Sequence, residues 1–201
     1  MKITKKLFVA VACVLIAVPA FAGGKGDGGG KVAGGSWNFS DPALGTQGWY
    51  LANNEFYQYH GPIELSYDDK TLGKGLLRLD VDFTKDVGSE WSEPKMATDF
   101  GKSYNMKGKT KFCFDFYWNP SLSPAGGHFK SKVFSNSNGV LVDSSGDAIE
   151  DGVDAGNGFK KAQVEILIMP TSGYMTDMRF SIAGYLTNYK GPVFFDNMRF
   201  E

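Results

Sequence analysis

The apolar positions of this chain recur at every second residue. Leu77, Leu79, Val81 and Phe83 alternate with Arg78, Asp80 and Asp82, and Val164, Ile166 and Ile168 alternate with Gln163, Glu165 and Leu167. Phe112, Phe114 and Phe116 alternate with Cys113 and Asp115. Successive side chains of a strand point to opposite faces, so these segments predict strands with one face in a core. Breakers recur between them at Asp41-Pro42, Gly61-Pro62, Gly73-Lys74-Gly75, Asn119-Pro120, Gly126-Gly127 and Gly191-Pro192, and no long stretch has helical spacing. Many short strands with regular turns predict an all-β fold, a β-sandwich jelly roll of two antiparallel sheets.

Two segments lie outside that pattern. Residues 1–22 carry Lys2, Lys5 and Lys6, then an apolar run from Leu7 to Val18, then Ala20-Phe21-Ala22. A basic start, a short apolar stretch and a small-x-small end are the marks of a secretory signal peptide cleaved after Ala22. The run is short for a bilayer span, and Cys13 lies inside it rather than at its end, so no membrane anchor is expected and the mature protein is expected to be secreted, extracellular or at the cell surface. Residues 23–35, GGKGDGGGKVAGG, are mostly glycine and predict a flexible tether. The remainder, residues 36–201, has the size of one domain.

Removing the leader takes three of the 21 basic residues and none of the 22 acidic ones. The domain is therefore net acidic and lacks the basic footprint of a nucleic-acid binder. It also leaves Cys113 as the sole cysteine, so an internal disulfide is excluded. In KFCFDFYW that thiol sits mid-strand, where a buried structural role is expected rather than a nucleophilic one. The stretch from Asp143 to Phe159 gathers five acids and four glycines. It lacks the residue order of an EF-hand loop and reads as a solvated hairpin excursion.

Catalytic signatures are missing: there is no GxSxG elbow, no HExxH, and no glycine-rich phosphate or dinucleotide loop. The two histidines, His60 and His128, read as loop or surface residues. What stands out is aromatic content, with four Trp and nine Tyr. Several lie in polar surroundings: Trp49-Tyr50 follows a glycine, Trp91 sits among charges in GSEWSEPK, and Tyr57 and Tyr59 lie in EFYQYHGP. A pyranose presents apolar C–H faces on which rigid rings stack while nearby polar groups bond its hydroxyls. Trp37 and Trp118 read as core, whereas Trp91 is the least core-like of the four.

The pieces WNFSDP and QGWY near the start, IELSYDDKTLGKGLLRLDVDF, SEWSEPKMA, KFCFDFYWNP, GFKKAQVEI and the closing YKGPVFFDNMRF follow one another in an order that resembles the family-27 carbohydrate-binding modules. Those are mannan-binding jelly-roll domains usually attached to mannanases. The resemblance spans nearly all of Ser36 to Glu201 and implies a non-catalytic module that holds a polysaccharide partner, a mannan-type glycan, by aromatic stacking. It places the stacking rings at Trp49 or Tyr50 and at Trp91, with Glu93 and Lys95 on the same strand face as Trp91 and Asn136 as a further hydroxyl partner. The tryptophan that the family carries near Ser137-Asn138-Gly139 has no counterpart in FSNSNGVL.

The resemblance further implies a structural calcium (Ca2+) pinning the first strand to the last, with Asp196 as ligand, helped by Asn38 or Asp41 and by carbonyls near Lys74-Gly75. No enzyme segment follows Glu201, so a free-standing module is expected, or one associated with glycan-degrading enzymes or a cell-surface assembly. Two other readings stay open at this point: a surface adhesion domain, and a small jelly-roll glycan-cleaving enzyme using carboxyls such as Glu90 and Glu93.

Overall fold

The computed structural model describes residues 35–52, 64–84, 93–137, 140–168 and 173–201. The leader, nearly all of the glycine-rich tether, Tyr57, Tyr59, His60, Glu90 and Trp91 lie outside the described residues. Within the described residues the chain forms twelve strands: β1 (Ser36–Trp37), β2 (Tyr50–Leu51), β3 (Leu65–Asp68), β4 (Leu76–Asp82), β5 (Lys95–Asn105), β6 (Lys111–Trp118), β7 (His128–Ser137), β8 (Val140–Ser145), β9 (Val153–Gly156), β10 (Phe159–Leu167), β11 (Tyr174–Tyr185) and β12 (Lys190–Phe200).

They pair antiparallel into two sheets. The seven-stranded sheet runs β3-β4-β12-β6-β10-β9, with β1 also on β12, and the five-stranded sheet runs β2-β5-β11-β7-β8. This is the β-sandwich jelly roll that the period-two pattern predicts. The acidic glycine-rich stretch is spent on the end of β8, a single bridge from Ile149 to Phe129, and the β9–β10 hairpin.

The core is the inner row of each sheet. On β4, Leu77, Leu79 and Val81 are buried while Arg78, Asp80 and Asp82 are half-buried on the other face. Phe112, Phe114 and Phe116 of β6 meet Phe180 of β11 and Phe195 of β12. Phe180 stands edge-on to Phe114 at 4.8 Å and to Phe195 at 5.4 Å, so one ring from the five-stranded sheet wedges between rings of the other. Edge-to-face pairs of this kind add to the gain from area burial because ring edges and faces carry opposite partial charge. Trp37 and Trp118 are core residues as expected, and Cys113 is a buried free thiol.

On β6 the alternation of burial disappears: Cys113, Asp115 and Tyr117 face away from the core yet are also buried. The turn between β3 and β4 and the β9–β10 hairpin fold over this outer face, linked by Asn157 Nδ2 donating to the Thr71 carbonyl at 2.7 Å. Beneath them Leu76, Tyr117, Phe159 and Phe194 form a second small apolar cluster. Gly75 is required there, because a Cβ at this position would lie 1.8 Å from the Phe39 carbonyl oxygen.

Candidate functional site

The outer face of the five-stranded sheet is arranged differently. On β11 the residues Met178, Phe180 and Ile182 enter the core, so Asp177, Arg179, Ser181 and Ala183 face outward. Pairing register extends each of these positions into a row across the sheet. One row is Tyr50 (β2), Ala97 (β5), Arg179 (β11) and Phe134 (β7). The neighbouring row on one side is Lys95, Ser181 and Lys132; on the other it is Asp99, Asp177 and Asn136. Ala97, Ser181 and Ala183 are short and almost fully buried, while Arg179, on the central strand between Ala97 and Phe134, is exposed.

The sheet brings together most of the residues singled out for sugar contact. Tyr50 is 42% exposed at one edge. Glu93, just before β5, and Lys95 share a face, with Glu93 Oε1 3.7 Å from Lys95 Nζ. Ser181 donates its hydroxyl hydrogen to Glu93 Oε1 at 2.7 Å, and the Lys95 ammonium lies over the Phe134 ring at 4.6 Å from its centroid. Carboxylate and ammonium are thus held in place by a hydroxyl and an aromatic face before any ligand arrives. Asn136 takes its place on the same sheet by register with Asp177. Burial, then the carboxylates of Asp99 and Asp177, push the Tyr50 hydroxyl above its ordinary pKa of 10.0, against the opposing pull of Arg179. At neutral pH the phenol is an intact hydrogen-bond donor on an apolar ring.

Trp49 does not belong to this face, which corrects its assignment as a stacking ring. Only 2% exposed, its indole packs edge-on against Trp37 at 5.2 Å and against Phe180 at 6.4 Å. Adjacent residues entering a strand face opposite ways; with Tyr50 outward, Trp49 must enter the core. The sequence reading missed Phe134, Arg179 and Ser181. Their outward positions follow from alternation along YMTDMRFSIAGY and HFKSKVFSNS once the strands are known, but their meeting depends on pairing between strands distant in sequence.

The proposed calcium ligands are also placed otherwise. Asp196 lies on the covered outer face of the seven-stranded sheet. Its Oδ2 accepts from Lys74 Nζ at 2.7 Å and its Oδ1 from the Asn197 amide at 2.8 Å. Lys74 also donates to the Tyr117 hydroxyl at 2.7 Å and lies over that ring at 4.8 Å. Asp41 Oδ1 caps the short 3-10 turn Pro42–Leu44, and Asn38 Oδ1 accepts from the Ser40 amide and hydroxyl. Among the described residues no three His, Cys, Asp or Glu side chains group as metal ligands. A hard cation needs a cage of oxygens, whereas the positive charge against Asp196 is an ammonium. The donors as placed do not fit calcium.

Burial lowers the pKa of Lys74, but its hydrogen bonds to Asp196 and Tyr117 outweigh that and leave it above the ordinary value. Beside it the pattern repeats: Lys161 Nζ lies 2.7 Å from Asp115 Oδ2, which also accepts from Asn197 Nδ2 at 2.7 Å.

In sequence, no protein-family model and no curated protein matches the chain. In structure, the chain is similar to a non-crystalline cellulose specific carbohydrate-binding module of family 28, with a TM-score of 0.63 and 21% identity over 77% of this chain and 88% of that one. It is equally similar to a family-27 module from Caldicellulosiruptor saccharolyticus solved in complex with mannohexaose, with a TM-score of 0.63 and 23% identity over 82% of this chain and 94% of that one. A second family-27 module, studied for specific mannan recognition, aligns with a TM-score of 0.60 and 19% identity over 82% of this chain and 94% of that one. The fold is that of the β-sandwich carbohydrate-binding modules, in agreement with the resemblance read from the sequence motifs.

Proposed function

We propose that this protein is a non-catalytic polysaccharide-binding module that holds a β-mannan or mannooligosaccharide across the outer face of its five-stranded sheet. The observation that carries the reading is the Tyr50–Ala97–Arg179–Phe134 row beside a Glu93–Lys95 pair already fixed by Ser181 and Phe134. The exposed Tyr50 ring suits the C–H face of a pyranose, and the fixed carboxylate and ammonium with the exposed Arg179 suit its hydroxyls. The fold likeness to carbohydrate-binding modules supports polysaccharide binding, and the order of the sequence motifs is what favours mannan within that class. The leader-like residues 1–22 support export to the cell exterior or surface, where such a glycan is met. There the module acts alone or beside glycan-degrading enzymes.

Titration calorimetry with mannohexaose and soluble mannans tests the proposal. Binding in the micromolar to millimolar range is expected, weakened in Lys95→Ala and Glu93→Gln with the thermal melt retained. Absence of heat with any β-glycan, or new reducing ends after long incubation with mannan, overturns it.

A further inference from the structure

Strand β11 changes which of its positions enter the core partway along its length. Met178, Phe180 and Ile182 are buried at every second position, and the same alternation continued backwards would send Thr176 and Tyr174 into the core and Met175 outward. The opposite is found: Met175 is fully buried, while Thr176 and Tyr174 are exposed. The register with β5 shifts at this point, Asp177 pairing with Asp99 but Met175 with Tyr104. An irregularity of this kind resets the alternation and re-aims the side chains beyond it.

Turned outward in this way, Tyr174 is 50% exposed, and its cross-strand partner Asn105 is exposed beside it. Among the described residues, Tyr50 and Tyr174 are the exposed aromatic side chains, and both stand on the outer face of the five-stranded sheet. Between Tyr174 and the row of Tyr50, β11 presents two charged groups to the same face. Asp177 Oδ2 accepts from the Thr176 hydroxyl at 3.0 Å, and Arg179 is exposed. Tyr174 lies five positions along β11 from Arg179, whose row holds Tyr50 two strands away, so the rings stand roughly 15–20 Å apart at ordinary strand rise and spacing.

Resting on the sheet-face reading of function, we infer that Tyr174 is a second stacking ring of that site, and that its ligand is a run of several linked sugar units laid along β11. No single pyranose reaches both tyrosines. A chain does, offering C–H faces to Tyr174 and Tyr50 and hydroxyls to Asp177 and Arg179 between them. The shift in alternation puts Met175 in the core in place of Tyr174 and leaves a rigid amphipathic ring where a ligand can stack on it. Recognition is therefore of an extended segment, and a lone ring or a chain end meets only part of the site.

The test is calorimetric titration of the full chain with a length series of mannooligosaccharides, from mannobiose to mannohexaose, beside the matching series of cello-oligosaccharides. For the parent protein, affinity should climb with chain length. Tyr174→Ala should lose about tenfold on the hexasaccharide, the loss of one stacking ring, and should bind the disaccharide as the parent does, with its melting temperature unchanged. Tyr174→Phe keeps the ring without the hydroxyl and should bind the hexasaccharide like the parent. The inference is overturned if Tyr174→Ala leaves hexasaccharide affinity unchanged, or if it weakens disaccharide and hexasaccharide alike. If Tyr50→Ala still costs affinity in that event, the sheet-face reading stands without this one; absence of binding by the parent across both series overturns both.

Discussion

The two sheets of this sandwich present opposite kinds of outer surface. On the seven-stranded sheet, Asp115, Tyr117 and Asp196 are each less than 6% exposed, and both buried carboxylates have a partner within the fold: Lys74 for Asp196, Lys161 for Asp115. On the five-stranded sheet, Tyr50, Asp99 and Arg179 remain exposed, beside a Glu93–Lys95 pair that is 11% and 19% exposed over the buried Ser181. The first face has been closed by two turns that bring apolar side chains, one of them also Lys74, while Lys161 comes from β10 of the sheet itself. The second has no such cap among its described residues. Pairing of buried charges within a chain favours one geometry and leaves little for a ligand; charges held in place but still wet are available to one.

The deepest way to break this contrast is to remove the ring on which both faces rest. Phe180→Ala should destabilise the domain by roughly 3–5 kcal/mol, because the cavity opens between both sheets, and a denaturant melt should show stability and glycan binding lost together. Next in size is the covered face. Lys161→Ala leaves Asp115 buried with Asn197 as its remaining partner, and a loss of roughly 1–3 kcal/mol is expected in the melt with glycan affinity unchanged.

Lys74 and Lys161 also set a pH dependence. Both have folded pKa values raised above the ordinary 10.5, so their contribution is complete below that value and is lost as pH rises beyond it. Alkaline melts should fall more steeply for the parent protein than for Lys74→Met.

The open face should respond in the opposite sense. Tyr50→Ala should weaken mannohexaose binding about tenfold, by analogy with the loss of a base stacked on an aromatic ring, while the melting temperature stays put because that ring lies at the sheet edge. A fall in melting temperature with affinity intact would mean that the two faces have been assigned the wrong way round. The smallest effect is expected from chelation. With an ammonium against Asp196, adding EDTA should leave the melting curve where it was; a clear drop would mean that a cation contributes after all.

The contrast also marks how far the sequence could be read. WNFSDP through YKGPVFFDNMRF carries the fold order, and QGWY announces an aromatic at the site. Yet Trp49 and Tyr50 are equally eligible in one dimension. A shift of one residue exchanges which of them faces the core, and the pairing Tyr50↔Ala97 decides it. Glu93 and Lys95 were legible as a pair because alternation along a single strand places them together. Phe134 and Ser181, which hold that pair, were not, since they come from strands about 40 and 86 positions further along whose adjacency is a property of the sheet.

Asp196 shows the same division from the other side. An acid near the end of the last strand, facing a Gly-Lys-Gly turn, looks like a metal ligand when only the carboxylate is considered. Which cation meets it depends on where the 122-residue-distant Lys74 side chain comes to rest. His128, too, reads as a loop or surface residue after two glycines, and only the pairing of β7 with β11 shows that its ring lies against Tyr185. The period-two pattern determined strands, core and sandwich, because burial alternates within each strand and needs no knowledge of neighbours. Partners across strands are brought together by folding alone, and so the tertiary structure decided which outer face closed over matched charges and which stayed open.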